Sequence, residues 1–157
     1  MANIAYINNE FQDFNEAKIP ALDRGLLFGD SCFEVFVSFG EKILNLDEHL
    51  TRLFFSFKLL GYNSPWSKEE LASELHEVAQ RLAAPKGYIR LIVSRGTGLG
   101  LFPDETLKPN KYIFALPAKV EAPKLYSEGL RLKSKQQGYT VRNAHAKTGN
   151  YLESVLG

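Results

Sequence analysis

Few residues in this chain have both the type and the setting to do chemistry. Lys147 stands in the run Lys147-Thr148-Gly149-Asn150-Tyr151, and a lysine amine that sheds its proton is a nucleophile toward carbonyl carbon and afterwards a proton carrier. By residue type alone, a lysine flanked by Gly149 and Asn150 is as readily a solvated one. Arg52 offers a planar fork of donors that stays charged at any working pH and suits phosphate oxygens. The plain alternative for Arg52 is a helix-surface pairing with Glu48, four residues earlier. Tyr88 and Arg90 share one face of an alternating segment, where the plain reading of Arg90 is an arginine exposed at a sheet face.

The other candidates have simpler readings. Asp23, Asp30 and Glu34 are close in sequence, and loop capping and strand-edge ion pairs account for them as well as catalysis does. His49, His76 and His145 lack metal-ligand spacing, so no metal site is expected. Gly96-Thr97-Gly98-Leu99-Gly100 looks like a phosphate loop, but no helix pattern opens after it and Pro103 intervenes, which leaves a glycine-rich turn. Cys32 reads as a packed small residue, Phe33 as a core aromatic and Tyr151 as a helix-packing aromatic.

These residues need elements to hold them. Residues 4–7 and 10–14 flank Asn8-Asn9, a pair tolerant of the left-handed backbone that tight hairpins require. Residues 33–39 and 42–46 form a second hairpin across Gly40-Glu41. Between the hairpins, 22–30 reads as a loop. Asp47 is placed to cap a helix with apolar Leu50, Leu53, Phe54, Phe57 and Leu60, closed by Gly61. A second helix starts at Ser67 with Glu70 completing a capping box, and buries Leu71, Leu75, Val78 and Leu82. Strands follow at 88–95, 111–118 and 130–135, then a polar loop and a helix over 148–156. Two prolines, alternating charges and Gly129 make 117–129 the best linker segment.

Composition narrows the function classes. Hydrophobic residues at 45% and charged residues at 24% of 157 support a packed core and exclude a disordered or collagen-like chain. A net charge of +1 without blocks of one sign offers no footprint for nucleic acid. One cysteine excludes an internal disulfide and a cysteine-based zinc site, which fits a reducing cytoplasm. Neither a membrane span nor a secretory signal is expected from the apolar runs.

Taken in order, the motifs carry a resemblance that none carries alone. Leu22-Asp23-Arg24-Gly25 with Phe28-Gly29-Asp30 and Phe33-Glu34, then Leu46-Asp47-Glu48-His49-Leu50-Thr51-Arg52-Leu53, then Tyr88-Ile89-Arg90, then Lys147-Thr148-Gly149-Asn150-Tyr151-Leu152, resemble the class IV (fold type IV) aminotransferases. These enzymes use pyridoxal 5′-phosphate and include branched-chain and D-amino acid aminotransferases and aminodeoxychorismate lyase. The resemblance implies that Lys147 bonds the cofactor covalently, that Arg52 binds its phosphate and that Tyr151 lies near its ring oxygen. It also implies that Phe33, Tyr88 and Arg90 face the substrate, an amino acid or 2-oxo acid, and that the protein is a homodimer.

The motifs divide between branches of the family. Asp23-Arg24-Gly25 and the three-residue step from Lys147 to Asn150 are similar to the D-amino acid and lyase branch. Gly149-Asn150-Tyr151 and Tyr88-Ile89-Arg90 are similar to the branched-chain branch, and Gly100-Leu101-Phe102 stands where the D-amino acid enzymes carry an Arg-x-His carboxylate trap. The resemblance therefore implies a mixed α/β (α+β) fold in two domains and a branched-chain-aminotransferase-like activity. The small N-terminal α/β domain is expected over 1–117, a linker over 118–129 and the beginning of the cofactor-binding domain over 130–157. Family members run close to twice this length, so an incomplete chain is expected, lacking the acidic partner of the pyridine nitrogen. The competing expectations are a lyase of the same family and a non-catalytic fragment that serves in dimerisation.

Overall fold

Alternating side chains bring six of the predicted strands into one antiparallel sheet. The computed structural model describes residues 3–119, 123–134 and 145–156. In it, β1 (Ile4–Ile7) and β2 (Glu10–Gln12) form the first hairpin, β3 (Ser31–Phe39) and β4 (Lys42–Ile43) the second, and β5 (Gly87–Ser94) and β6 (Asn110–Pro117) lie between them. The strand order is β2-β1-β6-β5-β3-β4. Asn8 and Asn9 both take positive φ, 46° and 75°, as the tight turn requires.

Two helices, α2 (Leu46–Leu60) and α3 (Lys68–Leu82), cover one sheet face. Their buried Leu50, Leu53, Phe57, Leu71, Leu75, Val78 and Leu82 pack against Phe36, Ile89, Leu91, Val93 and Ile113. Each such side chain contributes about 1.5–3 kcal/mol by leaving water. Val35 is paired with Arg90 and Phe33 with Ile92, so Phe33 joins Arg90 and Tyr88 on the sheet face away from the helices, and Tyr88 and Arg90 share that face as alternation predicts. The capping box of Ser67 and Glu70 forms, and Gly61 closes α2 at φ 67°.

Several expectations are corrected. Asp47 does not cap α2: Asn45 occupies the cap position with a left-handed backbone, and Asp47, inside the first turn, pairs with Lys68 Nζ at 2.6 Å. The 22–30 segment contains a helix, α1 (Arg24–Phe28), capped by the Asp23 side chain on Gly25 N–H at 2.8 Å and ended by Gly29. Five residues are too few to display a helical period, which is why this stretch reads as a loop.

Residues 130–134 are not in a strand, and Leu132 is 90% exposed; no neighbouring strand among the described residues takes their backbone groups. Lys135 and the predicted polar loop to 144 lie outside the described residues. Within the predicted linker a short helix, α4 (Pro123–Glu128), forms. The last helix, α5 (Leu152–Leu156), begins later than predicted because the preceding residues join the sheet edge. Among the described residues no helix is long and apolar enough to cross a membrane.

Candidate active site

The outer edge of β3 is shared by two partners. Its C-terminal end pairs with β4, at Ser38 and Phe39. Its N-terminal end takes the lysine-bearing strap: Phe33 N–H donates to Lys147 O at 3.0 Å, Gly149 N–H donates to Ser31 O at 2.9 Å, and Thr148 sits opposite Cys32. Two glycines permit this close approach. A Cβ on Gly149 would lie 2.3 Å from Ser31 Oγ, and one on Gly29 would lie 1.9 Å from Asn150 Oδ1. Asn150 Nδ2 then donates to Gly29 O at 3.3 Å, tying the strap to the end of α1.

Held there, the Lys147 side chain meets aromatic faces. Its Nζ donates to Tyr151 Oη at 2.9 Å and lies 4.3 Å from the Phe33 ring centroid. The Phe33 and Tyr151 rings meet edge to face at 5.3 Å, and the Arg90 guanidinium stacks 4.1 Å from the Phe33 ring. Phe33 is therefore only 4% exposed although it projects from the sheet face that the helices leave open. The Arg90 Nε is buried and has no hydrogen-bond partner among the described residues, a costly condition for a charged donor. Tyr88 lies two residues farther along the same face, partly exposed and opposite Val37.

Arg52 approaches the same strand from the helix side. Its Nε and one terminal nitrogen both donate to the fully buried Glu34 carboxylate at 2.6 Å, a two-pronged pairing that replaces the expected contact with Glu48. His49 Nδ1 donates to the same carboxylate at 2.8 Å. Burial pushes the Glu34 carboxyl up, but the hydrogen bonds from Arg52 and then His49 outweigh it and hold the group below its usual range. Arg52 is raised, first by its hydrogen bond to Glu34. Half of the Arg52 side chain, 49%, remains exposed, and its Nη1 has no partner among the described residues.

Residues 31–157 match the family described as Amino-transferase class IV. The chain belongs to the class IV aminotransferases. A Methanocaldococcus jannaschii protein assigned to the branched-chain-amino-acid aminotransferases is 36% identical over 155 residues, covering 96% of this chain and 53% of that protein. Among solved structures, the T.th. branched-chain amino acid aminotransferase complexed with N-(5′-phosphopyridoxyl)-L-glutamate aligns over 99% of this chain and 53% of its own, at 28% identity and TM-score 0.84. The 4-amino-4-deoxychorismate lyase of Pseudomonas aeruginosa aligns over 97% of this chain and 54% of its own, at 27% identity and TM-score 0.79. The chain spans about half the length of these relatives.

In this class IV aminotransferase chain, the structure gathers Phe33, Arg90, Lys147 and Tyr151, links the Arg52 main chain to that of Lys147 through the Ser56 hydroxyl and leaves Tyr88 at the margin. The three carboxylates divide as structural readings predict. Asp23 caps α1 and also accepts from Tyr112 Oη and Asn110 Nδ2, both at 2.7 Å. Asp30 accepts from Arg24 and Arg95; burial pushes its carboxyl up, and those hydrogen bonds pull it below its usual range. Cys32 is packed, and burial pushes its thiol up to about 12, which removes it as a nucleophile. Sequence reasoning missed Ser56 and the packing role of Gly29. Ser56 left one sign, a polar residue three positions after Leu53 within the apolar stripe of its helix.

Proposed function

We propose that the protein is a pyridoxal 5′-phosphate-dependent aminotransferase of the branched-chain-aminotransferase-like kind, moving an amino group between amino acids and 2-oxo acids. The observation that carries this reading is the setting of Lys147 Nζ, hydrogen-bonded to Tyr151 Oη and backed by the Phe33 ring. When bound, the cofactor supplies an aldehyde that bonds amines and a ring that takes up the electrons of a broken bond at the substrate's α-carbon.

The residues present fit that group. Arg52 keeps an exposed edge of its guanidinium for the phosphate while Glu34 holds the other edge, so the donors point outward without reorganising. Lys147 Nζ would hold the group at its aldehyde carbon, and the same nitrogen, freed by a substrate amine, would carry the proton that leaves the substrate's α-carbon. Tyr151 Oη orients that nitrogen, and the Phe33 ring backs it. Tyr88 and Arg90 form the substrate wall, where the Arg90 guanidinium, stacked on Phe33, is the cation for a substrate carboxylate. Reduction of the cofactor-loaded protein with borohydride, followed by peptide mapping, tests the assignment. The pyridoxyl group is expected on Lys147, and its recovery on another lysine would sink the reading.

Arg90 carries a second expected result. Arg90→Ala raises KM for glutamate or 2-oxoglutarate about 10- to 100-fold, the range of one charge-assisted hydrogen bond, and changes KM for leucine far less. Equal changes for leucine and glutamate would assign the residue to packing on Phe33 alone.

A homodimer is the proposed assembly. Leu26, Leu27 and Phe28 are exposed along α1 and Leu22 just before it, and Arg24 anchors the Gly100 and Leu101 carbonyls, which brings the exposed Leu99, Leu101 and Phe102 to the same region. A second copy removes that apolar group from water. The cytoplasm is the proposed location, since the single buried Cys32 calls for no oxidising compartment. The second reading, an aminodeoxychorismate-lyase-like enzyme, is supported by Asp23-Arg24-Gly25, which is similar to the D-amino acid and lyase branch. Release of pyruvate from aminodeoxychorismate without a 2-oxo acid acceptor distinguishes the two.

A further inference from the structure

Ser56 lies on the buried side of α2, fully enclosed, in a stripe otherwise made of leucine and phenylalanine. A hydroxyl in such a place is unfavourable unless both its donor and its acceptor capacity are used. Both are used here. The Ser56 hydroxyl donates to Arg52 O at 3.0 Å, one helical turn back, and accepts from Lys147 N–H at 3.3 Å. The strap's pairing with β3 occupies Lys147 O and Gly149 N–H, so the Ser56 hydroxyl is the acceptor for the remaining Lys147 amide among the described residues.

We infer that Ser56 is a positioning residue that couples the helical turn carrying Arg52 to the strap carrying Lys147, through one hydroxyl that bonds the main chain of both. This rests on the reading that Lys147 and Arg52 hold the cofactor, because only then does the spacing of those two main-chain segments matter to chemistry. A cofactor gripped at its phosphate by one residue and at its aldehyde carbon by another needs that separation held to a fraction of an ångström. The two residues lie 95 apart in sequence and on different elements, and Ser56 bonds the main chain of both. Alanine would suit the apolar stripe but would leave the Lys147 amide without its acceptor.

Hydrogen–deuterium exchange tests the coupling in the protein as it exists. Ser56→Ala is expected to speed exchange of the Lys147 amide about tenfold or more, the effect of losing one buried hydrogen bond, while amides in α2 and β5 keep their rates. The pH at which the absorbance of the cofactor–Lys147 bond titrates is expected to shift in Ser56→Ala and to return in Ser56→Thr, which keeps the hydroxyl. An unchanged Lys147 amide in Ser56→Ala overturns the proposal. So does faster exchange spread evenly over α2 and β5, since the hydroxyl would then hold the core rather than the strap. Failure of the parent reading looks different: borohydride would fix the pyridoxyl group on another lysine in the unsubstituted protein, whatever the exchange rates.

Discussion

Lys147→Ala is expected to lower turnover by more than about 10⁴-fold and to remove the borohydride-fixed pyridoxyl group altogether. The loss combines two steps that pass through one nitrogen. Positioned proton transfer alone contributes about 10²–10⁴-fold, and the covalent attachment of the cofactor is lost in addition. Among the described residues no other lysine nitrogen lies against Phe33 and Tyr151, so none takes over either role. The fold is expected to survive, because the strap is held by main-chain bonds from Phe33, to Ser31 and to Ser56, which alanine retains. Steady-state rates with leucine and glutamate, taken beside a thermal melt, check this. A folded Lys147→Ala protein that keeps a tenth of the wild-type rate would remove Lys147 from the chemistry.

Arg52→Ala produces two losses that a second substitution separates. The exposed edge of the guanidinium is gone, so affinity for pyridoxal 5′-phosphate is expected to fall about 10- to 150-fold, the equivalent of about 1.5–3 kcal/mol for a hydrogen bond to a charged group. The buried Glu34 carboxylate also loses its two-pronged partner and keeps only His49, which lowers thermal stability. In Arg52→Ala/Glu34→Gln the buried charge is removed as well. Stability is then expected to recover most of its loss, whereas cofactor affinity stays low. Titration of cofactor into both proteins, with melting temperatures measured without cofactor, reads the two effects independently. Recovery of affinity in the double variant would show that Arg52 acts on the fold and not on the phosphate.

Periodicity made most of the frame legible. The alternation of Tyr88, Arg90 and Ile92 put Tyr88 and Arg90 on one strand face, and the pairing of β3 with β5 brings that face to Phe33. The spacing of Leu50, Leu53 and Phe57 and the box of Ser67 with Glu70 marked two helices that form. Local rules failed where the chain was too short for a period, as in α1, or where a segment needed a partner to become a strand, as at 130–134.

What the amino-acid sequence determined by itself was the family and most of the elements, because periodicity, capping and motif order are local or ordered properties of a chain. Which groups meet was decided by the tertiary structure alone. Glu34 rather than Glu48 holds Arg52, since the fully buried carboxylate on β3 faces the helix at two-pronged distance. The site also depends on separations that no spacing rule reaches: Ser56 meets Lys147 across 91 residues and Asn150 meets Gly29 across 121. Such contacts arise only when the sheet edge, the helix and the strap close on one another, because hydrogen bonds and buried charge act over a few ångströms of space and carry no signature in sequence distance.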